Sequence, residues 1–162
     1  MITLKTTTLT TLLLTIALFV SGCTTTGGTG YSAQKVVYHI NYDDPKMQAG
    51  ALRNIQNHIN AVGKENMDMK VVLHGKGLSL LLEPESVANT KLKLGNATDE
   101  MQVKISSLKE QKVVFNVCAN TLKGKNIKYD SDLYDVSAAD IVPSGVAELA
   151  HLQSMGYTYI KP

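Results

Sequence analysis

Cysteine is scarce in this chain of 162 residues: there are two, Cys23 and Cys118, too few for a disulfide framework. Charge is scarce as well. Charged residues make up 19% of the chain and the formal net charge is +2, so no strong field of one sign draws it to nucleic acid or to acidic lipid. Nucleic-acid binding is not expected. His39, His58 and His151 are scattered, without HExxH or any paired-ligand spacing, and no metal site is expected. Asp130, Asp132 and Asp135 lack the glycine and terminal glutamate of a calcium-binding hand, so they read as a solvated acidic turn. No Walker loop, dinucleotide fingerprint or Ser-His-Asp set is present, and no cofactor is expected.

A hydrophobic run long enough to cross a bilayer is also missing. The stretch from Leu12 to Val20 falls short of the roughly 20 residues a spanning helix needs. With Lys5 before it and Val20-Ser21-Gly22-Cys23 after it, the segment has the layout of a secretory signal ending in a bacterial lipobox. Residues 1–22 are expected to be a lipoprotein signal peptide, with Cys23 as the lipidated first residue of the mature protein. Thr24, rather than Asp, follows that cysteine, which favours the outer membrane, facing the periplasm. The membrane would be touched only through the N-terminal lipid. Residues 23–34 have the Gly/Thr composition of a flexible tether, leaving 35–162 for one domain.

Within that domain, Lys35 to Asn41 reads as a first strand, ended by the turn-forming Tyr42-Asp43-Asp44-Pro45. Leu52, Ile55, Ile59 and Val62 then fall on one helical face, and Gly63 stands where the helix should stop. Met69 to Gly75 predicts a second strand, and Lys112 to Cys118 a third. Between them Thr98, within Asn96-Ala97-Thr98, is expected to cap a helix carrying Met101, Ile105 and Leu108. A short helix is expected beyond Cys118, a fourth strand near Ala139 to Val142, and a helix capped by Ser144 carrying Val146, Leu149, Ala150 and Leu152. Tyr157 to Ile160 closes the sheet. Strands alternating with helices predict an α/β fold with a mostly parallel sheet of about five strands. Leu78, Leu80, Leu81 and Leu82 are dense for a loop and read equally as core or as a subunit interface.

Once Cys23 is lipidated, Cys118 is left without an intramolecular partner in an oxidising compartment, which singles it out. It ends an apolar strand, where open α/β sheets place their ligands. A helix starting at Ala119, with Lys123, Lys125 and Lys128 nearby, is of the kind that lowers a thiol pKa. The competing reading is a buried cysteine acting as a small apolar filler. His74 ends the second strand as Cys118 ends the third, so it is a candidate partner for the thiolate if those strands are neighbours. By position, Asn116, Asn120 and the amides beyond Cys118 are candidates for stabilising the anion.

Val113-Val114-Phe115-Asn116-Val117-Cys118-Ala119-Asn120-Thr121-Leu122-Lys123-Gly124-Lys125 resembles the strand-cysteine-turn segment of the DsrE/DsrF-like family, which includes the YchN-like proteins. Tyr38 to Asp44 and Ile141 to Leu149 look like those of its exported, stand-alone members. The resemblance implies a flavodoxin-like fold, assembly into homotrimers or homohexamers, and a cysteine that carries sulfane sulfur as a persulfide. Cys118 matches that cysteine. Where some relatives have C-x-x-C, the second position here is Thr121, so an internal dithiol cycle is excluded. The resulting expectation is a sulfane-sulfur carrier or sulfurtransferase-like protein of the periplasm, exchanging sulfur with donor and acceptor thiols. Two alternatives stand beside it: a non-catalytic binding or assembly module on the same tether, and an envelope thiol that senses oxidants.

Overall fold

A computed structural model of the protein describes residues 30–162. The expected signal peptide, Cys23 and most of the tether lie outside the described residues. Five strands, β1 (Gln34–Ile40), β2 (Met67–Leu73), β3 (Val114–Cys118), β4 (Ile141–Val142) and β5 (Thr158–Ile160), form one sheet in the order β4-β3-β2-β1-β5. Every neighbouring pair is parallel. The architecture is the expected flavodoxin-like α/β sheet flanked by helices.

Alternation along the strands sends side chains to two different cores. Val36, Tyr38, Ile40, Met69, Val71, Leu73, Phe115 and Val117 pack into the larger one, against α1 (Pro45–Val62) and α2 (Asp99–Glu110). Val37 and Val72 face the other way, onto Leu149 and Leu152 of α5 (Gly145–Ser154) and onto Tyr157. Asp44 starts α1 by accepting from the Met47 amide at 2.8 Å, and Gly63, at φ 91°, ends it as expected. Among the described residues no helix is long and apolar enough to cross a membrane.

Leu78, Leu80, Leu81 and Leu82 are fully buried in the larger core, which settles them as packing within the chain. Their segment is held down by a polar knot. Gln48 donates to the Tyr42 carbonyl at 2.7 Å and to Ser79 Oγ at 2.9 Å, and accepts from Asn96 at 2.8 Å. Asn96 is thus a buried crosslink. Thr98 occupies the N-cap of α2 but makes no side-chain cap bond.

Other differences have local causes. β2 ends at Leu73, two residues before the predicted Gly75, because Gly75 turns left-handed at φ 57° to begin a short 3-10 segment. β3 starts later than Lys112, which sits at φ 70° in the preceding turn. Ser144 caps α5, but the buried stripe is Gly145, Leu149 and Leu152, while Val146 is 65% exposed and Ala150 is exposed. Asp132 is no solvated residue: it is buried and accepts the Lys128 amide at 2.7 Å, fixing the turn of α4 (Tyr129–Asp132).

Candidate functional site

The carboxyl ends of β1, β2 and β3 bring His39, His74 and Cys118 to one edge of the sheet. Parallel register pairs His39 with Val72 and Leu73 with Val117, so His74 and Cys118 each follow a residue of the same rung. All three lie on the α5 side: His39 alternates with Tyr38, and Cys118 with Val117, of the larger core. α5 then arrives from β4, whose Val142 pairs with Cys118.

Gly145, the first residue of α5, makes the close approach possible. A Cβ at that position would stand 2.9 Å from His74 Cβ and 3.3 Å from Cys118 Cβ, closer than packed carbons tolerate. Only glycine lets the start of the helix settle between the two side chains. The consequence is electrostatic as well as steric, since the Gly145 amide then reaches the sulfur.

Cys118 is 4% exposed and is the N-cap residue of α3 (Ala119–Lys125). Its side chain closes no regular cap bond on that helix. Burial alone raises the pKa of this thiol, yet its net shift is downward. The Thr121 hydroxyl and the amides of Gly145, Thr121 and Asn120 hydrogen-bond to the ionised sulfur and together outweigh the desolvation. Two of those amides belong to the first turn of α3, where backbone N–H groups have no intrahelical acceptor. Lys123, Lys125 and Lys128 are not among the groups acting on the thiol.

The other expected site residues fare differently. Asn120 is exposed and contributes its backbone amide rather than its side chain. Asn116 is buried on the α5 side, and its side-chain amide donates to Glu148 at 3.1 Å instead of to the sulfur. His74 stands beside Cys118 across Gly145, as adjacent strands require, but its Nε2 lies 2.7 Å from His39 Nε2. His39 in turn bonds through Nδ1 to the Tyr159 hydroxyl at 2.7 Å.

Burial lowers the pKa of His39 to about 4, helped by His74 and Lys161. Burial, then Lys161, lowers that of His74. Both imidazoles are therefore neutral at neutral pH. Their two Nε2 atoms are spent on each other, and among the described residues no group of three or more His, Cys, Asp or Glu side chains is placed to hold a metal ion.

His39, Thr121, Tyr159 and Gly145 went unrecognised as site residues in the sequence. For His39 a signal was present: it nears the end of β1 much as His74 follows the end of β2. The groove of about 460 Å³ between α1 and α2, lined by Leu52, Arg53, Gln56, Val103 and Ser107 among others, includes none of the strand-end residues.

No curated protein matches the chain. A solved structure of a protein of unknown function from Methanobacterium thermoautotrophicum is similar at 28% identity with a TM-score of 0.63, covering 80% of this chain and 99% of that one. That likeness agrees with the parallel sheet. The DsrE/DsrF-like family model matches residues 35–162, a span that contains the whole sheet and the strand-end cysteine, and points to a role related to sulfur metabolism. The chain belongs to the DsrE/DsrF-like family.

Proposed function

We propose that this protein is a sulfane-sulfur carrier in which Cys118 accepts and passes on one sulfur atom as a persulfide. The observation that carries the reading is the position of Cys118 at the carboxyl end of β3, at the start of α3 and against Gly145 of α5, where neighbouring donors lower its pKa in spite of burial. A thiolate held by fixed donors is a nucleophile at neutral pH, and the same donors suit the persulfide anion that replaces it. In the reaction the thiolate attacks the sulfane sulfur of a polysulfide or partner persulfide, the donor S–S bond breaks, and the leaving sulfur departs as a thiolate. A second thiolate later attacks the outer sulfur and regenerates Cys118. Thr121, in the place of a second cysteine, makes this a single-thiol cycle, so the resolving thiol comes from a partner.

The proposal places the carrier in the periplasm, anchored to the outer membrane through lipidated Cys23; Val20-Ser21-Gly22-Cys23 supports that placement. Assembly into a homotrimer or homohexamer belongs to the same proposal and rests on the family resemblance.

The test is sulfur loading. After incubation of the full chain with polysulfide, intact mass should rise by one sulfur in the wild type and stay unchanged in Cys118→Ser. Equal addition to both, or addition to neither, would reject the carrier. The 4% exposure of Cys118 favours a second reading, in which the thiol is packing in a non-catalytic tethered module. Labelling by a maleimide only after denaturation would select that one.

A further inference from the structure

Four elements wall the Cys118 side chain. β2 sets His74 on one flank, β4 sets Val142 on the other, the first turn of α3 follows directly, and Gly145 of α5 packs against the Cys118 Cβ. What remains open is 4% of the residue's surface. Displacement at divalent sulfur is in line, so the attacking sulfur, the sulfane sulfur and the leaving sulfur form one row through that opening. Each S–S link in the row spans about 2 Å. A donor must therefore bring its sulfane sulfur, and the atom behind it, past the wall before its first branch.

A second observation concerns protons. His74 turns its Cβ and Cδ2 edge toward Gly145, and its Nε2 meets His39 Nε2 at 2.7 Å. Burial keeps both rings uncharged at neutral pH. The groups that act on the sulfur are the Thr121 hydroxyl and backbone amides, which donate hydrogen bonds but do not give up protons near neutral pH. The leaving sulfur thus departs as an anion without an acid from the protein, and such departure is faster the less basic the anion is.

We propose that the sulfur donor of Cys118 is an inorganic polysulfide, an unbranched chain that leaves as a weakly basic anion, in preference to a peptide persulfide or a persulfide on a folded protein. This rests on the carrier reading and names its substrate class. With hydrotetrasulfide as donor, Cys118 S⁻ forms a bond to the protonated terminal sulfur and the adjoining S–S bond breaks. The electron pair of that bond leaves on a trisulfide dianion, whose charge is spread along the chain. The proton on the transferred sulfur passes to the trisulfide or to solvent. No outside oxidant or reductant is needed. Unloading runs through the same row of sulfurs in reverse, so the acceptor thiolate meets the same opening.

The test loads the full chain with sodium tetrasulfide or with glutathione persulfide, followed by intact mass, with Cys118→Ser as the background that retains Cys23. Loading should be at least about tenfold faster from tetrasulfide than from glutathione persulfide, after division by the same ratio measured on free cysteine. Iodoacetamide and its fluorescein derivative share a leaving iodide and differ in bulk, so they isolate the opening. The small probe should label native Cys118 at least about tenfold faster than the bulky one, and the gap should close to about twofold in urea. Loading from both donors with a corrected ratio near one, or native labelling as fast by the bulky probe as by the small one, overturns the donor assignment and leaves the carrier standing. Alkylation by iodoacetamide with no sulfur taken from either donor removes the carrier reading and the assignment with it, as does a thiol silent to every probe until unfolded.

Discussion

The Gly75 backbone amide donates to Thr121 Oγ1 at 2.9 Å, and this bond decides what the threonine hydroxyl does next. With a lone pair occupied by Gly75, its hydrogen is free for the Cys118 sulfur, which it helps to hold ionised. A residue standing where some relatives have a second thiol thus serves the first thiol as a donor. Thr121→Ala should raise the Cys118 pKa, because the ionised sulfur loses a charge-assisted hydrogen bond. Titrating the thiolate absorbance of both proteins checks this; an unchanged midpoint would mean that the hydroxyl does not act on the sulfur.

Gly145 makes the sharper steric prediction. Gly145→Ala puts a methyl group 2.9 Å from His74 Cβ and 3.3 Å from Cys118 Cβ, neither of them the loose end of a flexible chain. The start of α5 must withdraw, at a cost of about 1–3 kcal/mol, and its amide withdraws from the sulfur with it. Urea unfolding should therefore show lower stability while the thiol pKa rises. A fall in stability with no change in that pKa would separate the helix from the thiolate.

The histidine pair predicts acid sensitivity with a definite sign. His39 is held near 4 in the fold against 6.5 ordinarily, so the unfolded chain binds its proton first as pH falls. Stability contributed by neutral His39 is complete above about 6.5 and is lost progressively down to about 4, on the order of 3 kcal/mol in all. His74 and His58, both lowered mainly by burial, act in the same direction. Unfolding free energies measured across that window should fall with acid in the wild type and fall less steeply in His39→Gln.

Far from the thiol, the knot around Gln48 should matter more than its polar character suggests. Gln48→Ala strands the carbonyl of half-buried Tyr42 and strips one partner each from the buried Ser79 and Asn96. Leaving such groups unpaired costs about 3 kcal/mol, readable as a shift in the urea midpoint with an unchanged slope.

The strands and the thiol were legible because their signals are local. β-branched runs ending in turn residues marked β1 to β3, and one unpaired cysteine at a strand end marked the site. What stayed hidden depends on register and on the second face of the sheet. Nothing in the spacing of His39 and His74 says that a parallel pairing will bring their Nε2 atoms together. Asn116 was expected beside the anion, yet Glu148, thirty-two positions away on α5, claims its amide. Val146 and Ala150 looked suited to a buried stripe, but the narrow face of α5 follows Gly145, Leu149 and Leu152. Thr98 had the right identity for a cap and the wrong side-chain geometry.

The rate of Cys118 alkylation by iodoacetamide in the folded wild-type chain, followed across pH, measures the thiolate itself. Four converging donors predict a midpoint clearly below that of an ordinary thiol, with labelling complete under native conditions. A midpoint at or above the ordinary value, or a thiol that stays silent until the protein is unfolded, would contradict the account.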